Sequence, residues 1–465
     1  MRKLSAVLFL LFLMVALNTK AQDPSVNEKL TEVNDKVNGL LERLATDEAD
    51  LSKLTKIKVS GYMQAQYQNF ESPSLLNTSQ NYFSLRRVRV KFTYEALDGI
   101  KFVLTPDFSP GAFSLKDAYV VVNDHWSKSF ALWAGKFNRP NYEVEYSSSQ
   151  REMVERSLVI RTLYPGERAI GAKLEYSPLN VPIKMQVAVF NGGEGQLDIR
   201  DATGAALNAN ENKDYDNYKD VMARVTYNLS LGSFGGLDIG AHGYFGALKS
   251  NAIKTLSSDY TTVKAVKIGD AIGRNWLGGE FQLFADILGG LSIKGEYIAG
   301  KNVLNNNMGY DYIPAAGTTA AKLGKYNFVN KFAGYYLYFI KNLGKTNQIA
   351  FRYDYYDPNT EIKGTDVKVK AYTSADPTYA NVTSGKADLA TSTFGFVLHH
   401  YFDDNIRISA SYEIVQNEKV GVNASGISNL MENYTQADGQ KVTNGLDYSK
   451  VINQNVFTLR IQAKF

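Results

Sequence analysis

The chain reads as an all-β transmembrane barrel of about 16 antiparallel strands, preceded by a short N-terminal coiled-coil helix. Three observations predict it: strands that alternate apolar and polar residues, joins that alternate short and long, and an export signal ahead of them all. The alternation is plainest in VFTLRIQAKF, residues 456–465. Phe457, Leu459, Ile461, Ala463 and Phe465 share one face of an extended strand, and Thr458, Arg460, Gln462 and Lys464 share the other. Such a strand suits a soluble sheet lying over a core. It equally suits a barrel whose apolar face meets lipid and whose polar face meets an aqueous lumen.

The start of the chain narrows the choice. MRKLSAVLFLLFLMVALNTKAQ carries Arg2 and Lys3, an apolar run from Leu4 to Leu17, and Thr19-Lys20-Ala21 as a small-residue cleavage site. The run is short for a membrane helix of roughly 20 residues. Residues 1–21 are therefore expected to be a cleaved signal peptide, with Gln22 first in the mature chain. No later stretch is continuously apolar for the length of a membrane helix. The 0 cysteines exclude disulfides and thiolate metal sites, and a net charge of +4 over 465 residues argues against nucleic acid as a partner. The 30 Tyr and 24 Phe, against 3 Trp, suit a barrel's interfacial girdles, although large secreted β proteins share that bias.

Residues 22–55 have a different character. Leu30, Val33, Val37, Leu40, Leu44, Leu51 and Leu54 are spaced three and four apart, an a/d seam broken only where Asp47 takes a d position. The narrow seam and polar flanks predict a periplasmic coiled coil joining identical chains; the alternative is one amphipathic helix packed on the barrel.

Residues 56–465 read as the outer-membrane β-barrel. Sixteen strand candidates run from 57–69 and 82–96, through 274–287 and 291–300, to 405–416 and 455–465. Their joins sort by length. Leu97-Asp98-Gly99, Pro178-Leu179-Asn180, Gly289-Gly290, Gly344-Lys345-Thr346 and Asp403-Asp404 are tight, whereas 138–167, 192–219, 248–273, 301–330, 358–391 and 417–454 are long and polar. Short periplasmic turns and long outer loops alternate in this way in outer-membrane barrels, and a soluble sandwich has no reason to sort them so. The final strand should then close against the first.

Within this frame, LRRVRVKF (85–92), LKDAYV (115–120), GKFNRP (135–140), ERSLVIRTLYPGERAIGAKL (155–174) and VAVFNGGEG (187–195) follow one another. In that order they resemble the phosphate-selective porin O and P family, densely from about residue 57 to 195 and more loosely beyond. The resemblance implies a trimeric sixteen-stranded outer-membrane porin with a third external loop narrowing the channel. The aromatic Phe465 likewise resembles the signal by which barrel proteins reach their assembly machinery. Gly135 and Pro165-Gly166 are expected to serve turns or close backbone approach, and Asp117 and Glu155 to pair with basic neighbours in the lumen.

The third long connection, 138–167, is the one expected to fold inward as a constriction loop. It carries Arg139, Arg151, Arg156 and Arg161 against Glu143, Glu145, Glu152 and Glu155, with Arg168 and Glu167 at its end. A mixed set gives a transverse field and weaker charge selection than a ring of one sign. It departs from a purely basic phosphate site. On the barrel wall, alternation places Arg87, Arg89, Lys91, Arg224, Lys294 and Arg352 inward, and inward basic groups outnumber acidic ones by about two to one, which favours anions. Arg87, Arg89 and Lys91 form the densest ladder, with little local acid expected.

The expected function is a water-filled channel for passive diffusion of small anionic or neutral solutes across the bacterial outer membrane, with outer-membrane lipid as its surroundings. The alternative is a non-conducting barrel anchor with structural or adhesive surface loops. Catalysis is not expected: no G-x-S-x-G or H-E-x-x-H is present, and of the four histidines His399 and His400 face opposite sides of one strand. No cofactor or metal is expected. Asp354, Asp357, Asn359 and Glu361 surround a Tyr-Asp-Pro turn that could hold calcium but reads better as a solvated turn.

Overall fold

A computed structural model describes residues 24–465 apart from 72–80, 112, 193–213, 215–216, 251–253, 260, 268, 288, 305–309, 314–321, 368–387, 423–425, 427, 429–430, 436–440 and 453. The expected signal, residues 1–21, lies outside the described residues. So do the joins' most polar stretches.

The chain divides into two units, Met1–Lys58 and Val59–Phe465. The first contains α1 (Pro24–Thr55), where the seam was expected. Val33, Val37, Leu40 and Leu44 are exposed along it, and Glu32 and Lys36 form an i,i+4 ion pair at 2.6 Å.

The second unit is a closed antiparallel barrel of sixteen long strands. These are β1 (Ile57–Phe70), β2 (Asn81–Leu97), β3 (Ile100–Asp107), β4 (Ser114–Asn123), β5 (Phe130–Asn138), β6 (Arg168–Tyr176), β7 (Ile183–Phe190) and β8 (Asp220–Ser230). The circuit continues with β9 (Gly235–Lys249), β10 (Ala271–Ala285), β11 (Leu291–Leu304), β12 (Lys322–Leu343), β13 (Asn347–Asp357), β14 (Thr391–Tyr401), β15 (Ile406–Asn417) and β16 (Val456–Lys464). Each pairs with its sequence neighbour, and β16 also pairs with β1 from Tyr62↔Lys464 to Phe70↔Val456. Closure therefore leaves no open edge. All sixteen candidate strands are found, and the tight turns all fall at the end of the barrel where β1 begins and β16 ends.

The period-two pattern becomes an inside and an outside. Along β16, Leu459 and Ile461 are 43% and 47% exposed on the outer face, while Arg460 and Gln462 are 3% and 4% exposed on the inner one. Gly135 shows why one position tolerates no side chain: its φ is +125°, and a Cβ there would come 2.2 Å from the Ala118 carbonyl oxygen. Gly166, at φ +72°, turns the chain into β6.

Segment 139–167 does not run over the outside. It carries two short helices, α2 (Tyr142–Glu145, capped by the Asn141 side chain) and α3 (Leu158–Leu163), and its side chains and backbone carbonyls accept bonds from β1, β8, β11, β12, β13 and β16. Strands spread around most of a closed circuit can be reached at once only from within. A buried cluster of Tyr142, Val144, Met153, Val159, Ile160, Leu163 and Tyr164 packs against Tyr244, Trp276, Phe332 and Tyr336 of the wall. The expectation of a uniformly polar inner face fails on this arc.

Candidate functional site: the segment inside the barrel

The inner segment is fastened at three places. Glu155 is the first. Arg86 donates to both its oxygens at 2.8 and 2.9 Å, Arg460 donates to it at 3.0 Å, and Arg87 lies 3.5 Å away. Burial alone would raise this carboxyl, but Arg87, Arg86 and Arg460 outweigh it and hold it well below the usual carboxylate range. Its backbone carbonyl accepts from Arg352 at 2.6 Å.

The second place is Glu167, at the foot of β6. It stands in the left-handed region at φ 70° and accepts from Arg151 at 3.1 Å, from Arg168 at 2.6 Å, and from Arg156. A non-glycine residue held there costs of order 1 kcal/mol, which three charge-assisted bonds offset. Arg156 also donates to the carbonyls of Glu143, Val144 and Tyr146, closing the segment on itself.

The third is α2. Glu143 accepts from Ser157 and from the Tyr338 hydroxyl at 2.6 Å, and Glu145 accepts from Arg224 at 2.8 Å and lies 3.5 Å from Lys173. Burial pushes the Glu145 carboxyl up, and Arg224 and Lys173 more than reverse that. Glu152 accepts from Lys294 at 2.6 Å. Arg139 is buried and reaches the Pro165 carbonyl, whereas Arg161 is exposed on α3 with no carboxylate at ion-pair distance among the described residues.

The wall cations are placed inward, but most are occupied. Arg224 also meets Glu280, and Arg352 meets Asp354 and Glu413, each at 2.5 to 2.8 Å. The ladder differs from expectation in its surroundings. Arg87 has Glu155 beside it and Arg89 donates to Asp107 at 2.7 Å, so the local acid comes from a distant loop and from β3. Lys91 is exposed and free of any carboxylate among the described residues. Asp117 pairs with Arg168 at 2.9 Å, as expected.

His242, Glu280 and Glu296, on adjacent strands, bring their ligating atoms within 4.8 Å of one another. Their bonds are already made. Arg224 holds Glu280, while Asn141, Tyr336 and His242 hold Glu296. His242 Nδ1 has no partner, unlike the second nitrogen of a metal-bound imidazole. The cluster reads as a hydrogen-bonded part of the wall. The Tyr-Asp-Pro turn is not the solvated one expected, since Asp357 and Asn359 are buried and Asn359 donates to Asp388. The aromatic group was also missed: Tyr244 and Trp276 stack 3.9 Å apart at 4°, and Trp276 Nε1 donates to the Tyr164 hydroxyl at 2.8 Å.

Comparison with known proteins agrees with this geometry. The anion-selective porin of Comamonas acidovorans aligns with a TM-score of 0.50 at 12% identity, over 88% of this chain and 99% of that one. The outer membrane channel DcaP of Acinetobacter baumannii gives 0.50 at 11% over 88% and 97%, and OprB of Pseudomonas putida 0.50 at 10% over 90% and 96%. At such identities these likenesses show the fold. No curated protein matches in sequence. A family model does: residues 57–263 match phosphate-selective porin O and P, and the barrel shares the fold of the porins named above.

Proposed function

We propose that the chain forms a water-filled channel for passive diffusion of small solutes across the bacterial outer membrane, with a modest preference for anions. The observation that carries this reading is the inner segment 139–167, bonded to the wall around most of a closed sixteen-stranded circuit. A barrel used only as an anchor has no need of so elaborate an internal fastening. The preference is modest because Arg87, Arg89, Arg224, Lys294 and Arg352 are largely compensated, leaving exposed Lys91 and Arg161 to bias passing ions. Phosphate specificity is not part of the proposal, since the segment's charges are mixed.

Reversal potentials of the purified protein in a planar bilayer under a KCl gradient test the reading. A conducting, weakly anion-selective channel is expected, with Lys91→Gln and Arg161→Gln together shifting selectivity toward cations. A barrel without conductance would favour the anchor reading, and one that is already cation-selective would end the anion proposal.

The same reading makes residues 1–21 a signal removed on export, places α1 in the periplasm, hands the barrel to the assembly machinery, and makes the protein a homotrimer. The exposed Val33, Val37, Leu40 and Leu44 support α1 as a seam between identical chains. Deleting residues 22–55 should leave a folded barrel whose trimer dissociates at lower temperature on semi-native gels. Unchanged trimer stability would exclude the seam.

A further inference from the structure

The outer face of the barrel is largely apolar, so the cations on it stand out. On β11 the exposed Tyr297 and Lys301 are flanked by buried Ile298 and Asn302, and on β12 the exposed Lys331 and Tyr335 are flanked by buried Phe332 and Tyr336. Both lysines therefore point away from the lumen. The register sets Lys301 directly opposite Lys331, and exposed Asn275 of β10 stands directly across from Lys301 on its other side.

A row of tyrosines fixes their height. Tyr297, Tyr335 and Tyr355 lie side by side on β11, β12 and β13, with the rings of Tyr335 and Tyr355 5.5 Å apart. Outward tyrosines of this kind mark the boundary between hydrocarbon and headgroups. Lys301 and Lys331 stand four positions beyond Tyr297 and Tyr335 on their strands, toward the end that carries the long joins. That is about 13 Å along a strand, or roughly 10 Å along the barrel axis once strand tilt is allowed for. The pair thus faces the headgroup layer of the outer leaflet.

Like charges directly opposite one another disfavour a strand pair. Glu361 answers Lys331, but Lys301 has no carboxylate at ion-pair distance and the Asn275 side chain no hydrogen-bond partner among the described residues. The outward lysine near the other end of the same strand is treated differently. Lys341 is turned onto the carbonyls of Ile287 and Gly290 at 2.7 and 3.2 Å. The protein satisfies its outward cation on the side of the tight turns and leaves one open on the side of the long joins.

We propose that Lys301, Lys331 and Asn275 form a docking site for the phosphate of a phosphorylated lipid in the outer leaflet. A phosphate between the two ammonium groups replaces their repulsion with charge-assisted bonds, and the Asn275 amide donates from the third strand. A lipid fits better than a free anion, because Leu277, Tyr297, Tyr335 and Leu337 are exposed below the lysines and offer acyl chains an apolar wall. The proposal goes beyond the channel reading and holds whether or not the barrel conducts.

The test is native mass spectrometry of the detergent-solubilised full-length protein, titrated with dioleoylphosphatidic acid or dioleoylphosphatidylcholine. The two probes share their chains and differ in whether the phosphate is open. Phosphatidic acid should bind about tenfold tighter, as expected for one or two lysines at an anionic headgroup. Lys301→Gln with Lys331→Gln should abolish that preference, Lys301→Arg with Lys331→Arg should retain it, and Lys341→Gln should leave it unchanged. Circular dichroism verifies that each variant keeps its strands. Equal binding of the two lipids by the native protein would overturn the proposal, as would an unchanged preference in the Gln double variant. Displacement of phosphatidic acid by an equal concentration of inorganic phosphate would make this a free-anion site and overturn it too. A Gln double variant that changes only the number of subunits in the complex would assign the lysines to contacts between copies instead. Absence of conductance in a planar bilayer would end the channel reading and leave this one standing.

Discussion

Two arcs of the barrel hold the same inner segment by different means. On β1, β2, β15 and β16 the grip is polar: Arg87 and Arg460 meet Glu155, Arg407 and Arg460 donate to the carbonyls of Arg151 and Val154, and Gln64 donates to that of Ser148. On β9 to β13 it is largely aromatic, with Tyr244, Trp276, Phe332 and Tyr336 packed against Val159, Ile160 and Tyr164. The difference teaches where specificity of position comes from. Aromatic faces tolerate small slips, while a carboxylate shared among arginines tolerates almost none.

The comparison breaks most visibly at Glu155. Replacing it with Gln leaves Arg86, Arg87 and Arg460 without their shared carboxylate, and losing one partner of a buried charge group costs about 3–5 kcal/mol. The expected result is a lower melting temperature and a noisier single-channel current as the segment loosens from this arc. A quiet channel of native stability would show that the aromatic arc suffices.

Trp276→Phe probes the other side more gently. It keeps a ring beside Tyr244 and removes the bond to Tyr164, a loss of about 1 kcal/mol. The melt should fall slightly while conductance is unchanged; a conductance change as large as that of Glu155→Gln would erase the distinction between the arcs.

Acidification should have the smallest effect. The Glu155 and Glu145 carboxyls are depressed in the folded protein, so their contribution is complete above the ordinary glutamate value of about 4.3 and is lost only as pH falls through the lower folded values. Single-channel conductance should keep its noise level from pH 7 to pH 5. Loosening near pH 6 would contradict the assigned pairing.

Much of this was legible in the sequence because a strand's two faces are local. The alternation of Leu459, Arg460, Ile461 and Gln462 is all that is needed to orient β16, and the sorted joins order the remaining strands. The surroundings of Arg87 were not legible, because its carboxylate stands at Glu155 in a loop whose path depends on the closed barrel. The aromatic arc was legible in part. Trp276 is in phase with Arg274 and Glu280, so its inward direction could be read from GRNWLGGEF. Its partner Tyr164 lies 112 residues away, and no local pattern announces that contact.

The meeting of β1 with β16 also has a consequence for the order of assembly. It joins positions as far apart as Tyr62 and Lys464, and contacts of such separation form late, after the loop entropy between them has been overcome. The same strand carries Arg460 and Gln462, which fasten Val154 and Ser149. Until it docks, the segment is gripped from one side only. The position of the inner segment is therefore settled at the end of folding, by the step that also removes the sheet's last adhesive edge.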